Sequence, residues 1–309
     1  MLNQNICLVD FSEQSYSIKQ LYTQSMPRPQ LNLLYLATAL GVRPNQVTLL
    51  SQRDDASQDP QIRLGPLPAD PERFWAEAGF DVVVCLDSLA GVSEIRPYLP
   101  AQTPLVLWSH LPPRHVAMMP LQHADVREAF AAFVFESFYL VKSYHELYQL
   151  PAKRCHYRWP AMVRSLRNRF SRSDQLAAVR EPGLTMAFTA HPAYGLSQTL
   201  DMFEQFKQTY PELRLRVLTK PGFEPEIAGA SVIETLQRCR ETADVELLAP
   251  MPWPSQVEKL LGCQVLCHPL AFQDLGCSEL IDPLAAGCLT VLSEHPGLRE
   301  IVAEQSVWI

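Results

Sequence analysis

The sequence predicts an α/β protein made of two parallel-sheet domains, and three observations carry that prediction. Short apolar runs alternate with amphipathic stretches along the whole chain, the pattern of repeated βαβ units. The runs are apolar on consecutive residues, as strands covered on both faces must be. The pattern breaks at a charged, weakly periodic stretch, VRSLRNRFSRSDQLAAVREP (163–182), and then restarts. At 309 residues the chain is long enough for a sizeable core in each half.

In the first half the strands fall at ICLVDF (6–11), QVTLLS (46–51), DVVVCLD (81–87), PLVLWSH (104–110), AFVFES (132–137) and CHYRWP (155–160). Helical patterns cover Leu31 to Leu40 and Phe138 to Leu150. The second half has strands at LTMAFTA (184–190), LRLRVLTK (213–220), VELLAP (245–250), QVLCHPL (264–270) and LTVLSE (289–294). Helices lie between them, over about 196–210, 228–241, 254–262 and 278–286. The expected boundaries are a first domain over 1–165, a linker over 166–182 and a second domain over 183–309. Two Rossmann-like domains facing each other across a cleft is the simplest architecture.

The formal charge of −7 speaks against a nucleic-acid surface and offers no polybasic footing for anionic membranes. The opening MLNQNICLVDF lacks the basic flank and apolar length of a signal peptide. The longest apolar run, Ala129 to Phe135, stops at Glu136, far short of a transmembrane segment. A cytoplasmic protein is expected, with its eight cysteines reduced and mostly buried in strands. Cys263-x3-Cys267-His268 with Cys277 lacks the second Cys pair of a zinc site and reads as a core strand, so no metal is expected. Phe130, Phe133, Phe135, Phe138 and Tyr139 read as packed core. Proline is frequent (26) and glycine scarce (12), which makes for stiff loops after strands.

The segment richest in chemistry is Asp274 to Gly287, DLGCSELIDPLAAG, between two apparent buried strands. A helix start near Ser278 separates Asp274 in the loop from Asp282 in the helix. Loops at the carboxyl ends of parallel strands are where open α/β sheets bind ligands. Helix-start amides favour anions, and carboxylates suit sugar hydroxyls. Pro283 sits oddly inside the expected helix. The plainer reading of both acids is as solvated residues of a turn and a first helical turn.

This segment resembles the signature of retaining GT-B glycosyltransferases of the group 1, or family four, type. Those have an acid, seven residues, a second acid, then an Ala-rich turn ending in Gly; here Asp274, Asp282 and Pro283-Leu-Ala-Ala-Gly287. Gly297-Leu-Arg-Glu300-Ile-Val resembles the next helix start. The resemblance implies a GT-B fold, a nucleotide-sugar donor as substrate, an unknown acceptor, no metal or other cofactor, and retained anomeric configuration. It assigns Asp282 to the ribose, Asp274 to the transferred sugar, and the amides of 275–278, including Gly276, Cys277 and Ser278, to sugar and diphosphate. His110, ending PLVLWSH, would face the transferred sugar; its plainer reading is a His bonding a neighbouring backbone. His191 and Tyr194 stand where the family has cations, and Lys220 could supply one. Arg114 and His115 are placed to meet a phosphate. Asp10 and Asp87 are weaker strand-end candidates, and Ser137 reads as a helix N-cap.

The departures are specific. Both family glutamates are Asp, and FTAHPAYGLSQTL (188–200) carries no Arg or Lys where the family has an Arg/Lys pair. No glycine precedes Gly41, near the expected acceptor site. The chain ends on SVWI, like a last strand, where the family adds helices, so a divergent and C-terminally short member is expected. The alternative is a catalytically degenerate relative that binds a nucleotide-sugar or a protein partner. Another GT-B activity, such as sugar-nucleotide epimerisation, is the third reading.

Overall fold

The computed structural model describes residues 3–14, 16–42, 44–52, 57–58, 62–219, 229–269, 278–302 and 306–308. The chain forms two compact units. The first contains the chain through Gln20 and Arg28–Pro160; the second contains Leu21–Pro27 and the described chain from Ala161 onward.

In the first unit the elements are β1 (Asn5–Asp10), α1 (Gln20–Thr23, which runs on into the second unit), α2 (Arg28–Gly41), β2 (Gln46–Ser51), β3 (Ser57–Gln58), β4 (Arg63–Pro66) and α3 (Pro71–Glu77). They continue with β5 (Val82–Leu86), α4 (Gly91–Glu94), β6 (Leu105–Ser109), a 3-10 helix at Val116–Gln122, α5 (Ala124–Ala129), β7 (Ala132–Phe135), α6 (Phe138–Tyr148) and β8 (Cys155–Tyr157). The sheet order is β3-β4-β2-β1-β5-β6-β7-β8, parallel except for the β3–β4 pair. Every apolar run read from the sequence is a strand here, because strands covered by helices on both faces need apolar side chains on both. Cys7, Val9, Val83, Cys85, Leu105, Leu107, Phe133 and Phe135 line one continuous core with Trp75 and Tyr144.

In the second unit α7 (Ser173–Ala177), β9 (Thr185–Phe188), α8 (Leu196–Lys207), β10 (Arg214–Leu218), α9 (Ala230–Glu241), β11 (Val245–Leu248) and α10 (Trp253–Leu261) come first. Then follow β12 (Val265–His268), α11 (Ser278–Ala285), β13 (Leu289–Leu292), α12 (Pro296–Arg299) and β14 (Val307–Trp308). All six strands among the described residues run parallel in the order β11-β10-β9-β12-β13-β14. Phe188, Leu196, Leu200, Phe203, Leu215 and Val217 form its core.

The stretch expected as a linker ends inside the second unit. The Arg180 guanidinium donates to the carbonyls of Leu261 (3.0 Å) and Ala286 (3.1 Å), and to that of Cys263. Glu181 receives both Nη atoms of Arg216, each at 3.1 Å. Charged residues that look solvated in sequence are here fixing helix ends and a strand. Two further differences concern side chains. Phe138 is 57% exposed, unlike the buried Phe130, Phe133 and Phe135. Cys263 and Cys267 point to different partners, the Lys259 carbonyl and the Met202 sulfur. The seven described cysteines are all free. Among the described residues no helix is long and apolar enough to cross a membrane.

Candidate functional site

In each sheet the first strand in chain order lies inside, with later strands added on both sides of it, and at such a point parallel sheets open a crevice at their carboxyl ends. In the first unit β1 lies between β2 and β5, so the carboxyl ends of β1, β5, β6 and β7 surround that point. The residues that end or follow those strands are Asp10, Asp87, His110 and Glu136, all of them titratable.

His110 is the centre of this group. Its side chain is 5% exposed, with Nδ1 3.3 Å from Asp87 Oδ2 and Nε2 3.9 Å from Glu136 Oε1. Asn32 of α2 places its side-chain nitrogen 3.1 Å from Nε2. Asp87 also accepts the His110 backbone N–H at 2.5 Å. Burial opposes a charge on the imidazole, but Asp87 and then Glu136 outweigh it, with Arg28 acting against them. The net effect raises the His110 pKa above the ordinary histidine value. The neutral ring, with its proton on Nδ1, accepts from Asn32; the charged ring has carboxylates on both sides. This is a group that can hold a proton and present it, or change hydrogen-bonding role when it loses one.

The backbone supports this reading. Asp87 has φ +48°, the left-handed region that costs a non-glycine residue about 1–2 kcal/mol. The bend lets its carboxylate turn back onto the next strand's end while its own N–H bonds the Trp108 carbonyl at 2.9 Å. Strain at a strand end that aims a carboxylate at a histidine is characteristic of functional sites. Trp108 packs its ring 5.1 Å from His110, and its buried indole N–H has no hydrogen-bond acceptor among the described residues.

Asp10 is different. It accepts from the Ser12 N–H and hydroxyl, both at 2.9 Å, from Tyr16 at 2.9 Å and from Gln30 at 3.0 Å. Four donors occupy the carboxylate, which organises the β1–α1 loop. Ser137 caps α6 by accepting the Leu140 N–H at 3.1 Å. His115 accepts the Ala117 N–H at 3.2 Å and starts the 3-10 helix. Asn32, Trp108 and Glu136 were missed from sequence. The available signals were an Asn inside the apolar LNLLYL and an acid directly after the strand AFVF.

In the second unit the corresponding point is β9, between β10 and β12. The turn from β9 into α8 carries His191 and Tyr194, whose rings lie 5.1 Å apart. His191 Nδ1 accepts the Ala193 N–H at 3.2 Å, which places the neutral ring's proton on Nε2. Gly195 has φ +103°, and a Cβ there would run into the Pro269 carbonyl oxygen beyond β12. Only glycine lets these two loops approach so closely. A cleft of about 420 Å³ opens beside it, lined in part by Ala193, Ser197, Gln198, Ser231, Thr235 and Arg238. Arg238 is already paired with Asp201 (2.7 Å) and Glu204 (2.8 Å).

Asp282 lies on α11 and is 2% exposed; its Oδ1 accepts the Val163 N–H at 2.9 Å. One oxygen of the expected ribose ligand therefore also holds a backbone amide of its own unit. Pro283 is inside α11, past the first turn, and Gly287 with φ +78° ends that segment. Ser278 opens the helix. Asp274, Gly276, Cys277 and Lys220 lie outside the described residues.

Comparison with known proteins places the fold. No family model matches the sequence, and no curated protein matches it. Solved structures match over nearly its whole length. The chain is similar to HepE of Anabaena, solved in complex with UDP and glucose, at 12% identity and TM-score 0.70, covering 99% of this chain and 86% of that one. It is similar to sucrose-phosphate synthase of Thermosynechococcus elongatus at 13% identity and TM-score 0.69, covering 99% and 86%. It is also similar to WaaG, a glycosyltransferase involved in lipopolysaccharide biosynthesis, at 12% identity and TM-score 0.64, covering 99% and 85%. The fold is that of GT-B glycosyltransferases.

Proposed function

We propose that the chain transfers a sugar from a nucleotide-sugar donor to an acceptor, with retention and without a metal ion. The observation that carries this reading is the His110 centre, a buried imidazole aimed by Asp87 and Asn32 at the carboxyl edge of a sheet. The similarity to structures solved with UDP and glucose supports it. In this proposal the first unit receives the acceptor and the second the donor. His110 holds the hydroxyls of the reacting sugar, donating from a ring kept proton-rich by Asp87 and Glu136. Asp282 orients the ribose. Asp274 and the amides of Gly276, Cys277 and Ser278 take the sugar and diphosphate, and His191, Tyr194 and Lys220 supply donors to the leaving group.

A second reading is a non-catalytic nucleotide-sugar or protein-binding relative. It is favoured by the sequence 188–200, which has neither Arg nor Lys, and by the use of His191 Nδ1 within its own turn. Loss of a transition-state donor costs about 3–4 kcal/mol, so the missing pair bears directly on rate.

The test is a thermal-shift panel of UDP-, GDP- and ADP-glucose, followed by nucleotide release with and without candidate acceptors. A donor at about a hundred times its Kd adds about 2.7 kcal/mol, a shift of several degrees. A shift with acceptor-dependent nucleotide release supports transfer. A shift without release at any acceptor supports the binding relative, and no shift with any donor removes both nucleotide-sugar readings.

A further inference from the structure

The net charge of −7 conceals a segregation. From Lys153 to Arg172 the sequence holds seven of the 26 basic residues and none of the 33 acidic ones. Arg169 and Arg172 are paired with Glu258 and Asp174, so the local excess that bears on an anionic surface lies in the first part of the stretch.

The first part of this stretch is the outer edge of the first unit's sheet. β8 ends the strand order and, among the described residues, pairs only with β7. Along it Tyr157 is 43% exposed and Trp159 is 53% exposed, and Phe138, 57% exposed, meets Tyr157 edge-to-face at 6.2 Å. Lys153 and Arg158 are exposed on the same edge. Among the described residues no carboxylate pairs with either, and Arg158 Nη1 donates only to the adjacent Tyr157 carbonyl, at 2.7 Å.

Edge strands often carry Lys or Arg to discourage pairing with other chains, but that purpose needs no exposed Trp, Tyr and Phe. Scattered apolar residues on a surface are ordinary. An exposed aromatic on the edge strand, a second two residues on and a third from the start of α6 in contact with the first, flanked by cations that pair with no carboxylate among the described residues, are not scattered. Aromatic rings with a polar or cationic border suit the headgroup level of a bilayer, and clustered Lys and Arg suit anionic headgroups. Base stacking needs open ring faces, and the edge-to-face contact of Phe138 and Tyr157 at 70° turns the face of one ring onto the edge of the other.

We propose that this edge, Phe138, Tyr157 and Trp159 with Lys153 and Arg158, docks the chain on an anionic lipid surface. The inference is independent of the proposed transfer reaction. The test is co-sedimentation of the full chain with vesicles of phosphatidylglycerol and phosphatidylcholine, against phosphatidylcholine alone, at low and high salt. Binding to the anionic vesicles only, weakened by salt, with a blue shift of tryptophan emission that Trp159→Phe abolishes, supports the proposal. Lys153→Glu with Arg158→Glu should lower the partition coefficient about a hundredfold or more. Trp159→Ser should lower it about tenfold, and both sets of variants should melt like the parent. The proposal falls if neither vesicle binds, if both bind equally, or if the charge-reversed variant binds as well as the parent. It falls equally if single-stranded oligo-thymidine is bound through these residues and vesicles are not.

Discussion

Replacing Asp282 by alanine should destabilise the second unit before it says anything about ligand binding. Asp282 and Val163 are 2% and 3% exposed, and the Val163 N–H donates to Asp282 Oδ1 at 2.9 Å. Alanine leaves that buried N–H without this acceptor, at about 1–3 kcal/mol. Taking about 2 kcal/mol, a unit of this size loses about 4–8 °C in Tm. Asparagine keeps a carbonyl oxygen at the same reach and should lose less than about 1 kcal/mol, in line with the modest net value of a neutral hydrogen bond. The assay is calorimetric melting of parent, Asp282→Asn and Asp282→Ala without ligand, expected to rank in that order. An alanine variant melting within about 1 °C of the parent would refute the reasoning. The asparagine variant is then the right one for the nucleotide-sugar panel, because any loss of ligand response in it is not a loss of fold.

Gly195→Ala should cost about 2–3 kcal/mol in chemical denaturation, since φ +103° and the Pro269 carbonyl both exclude a Cβ. The His110 ring should titrate above the ordinary histidine value by NMR, and Asp87→Asn should move the midpoint down. Because the folded-state value is raised, the stability this centre contributes is complete below the unfolded histidine value and disappears as pH rises through the folded one. Asp87→Asn should therefore flatten the decline of stability as pH rises above the ordinary histidine value. Ser137→Ala should cost about 1 kcal/mol of thermal stability through the lost cap on Leu140 N–H. Arg216→Met keeps the stem but frees Glu181 and Glu246. The half-exposed carboxylates limit the loss to about 1–2 kcal/mol, read by urea denaturation.

The strands were legible because burial on both sheet faces leaves consecutive apolar residues, as in DVVVCL and PLVLW. The segment RLGP was not, since a strand with Gly and Pro has little apolar signal, yet it pairs with β2 as β4. Helix α3 was hidden similarly: its start depends on Asp70 accepting the Arg73 N–H, in a stretch whose only fully buried side chain is Trp75. At the first unit's centre His110 stood out by its place at a strand end. Asp87 was a weaker strand-end candidate, but Asn32 and Glu136 were not singled out, and no spacing showed that the three would meet His110, because they come from separate elements. Phe138 was read as core with its neighbours, although it starts a helix on the side away from them.

The amino-acid pattern by itself determined the α/β class, the repeat of strands and helices, the restart after the charged stretch, and the acidic segment that resembles a GT-B signature. These follow from periodicity and local spacing, which are properties of neighbouring residues. Only the tertiary structure decided which carboxylates meet His110, that Asp10 is taken up by its own loop and by Gln30 of α2, and that Asp282 holds Val163. It alone showed that Arg180 and Glu181 belong to the second unit's packing and that Tyr157 of β8 and Trp159 after it face outward. Those outcomes rest on contacts between residues far apart in sequence, formed when parallel strands bring their carboxyl ends to one edge of a sheet.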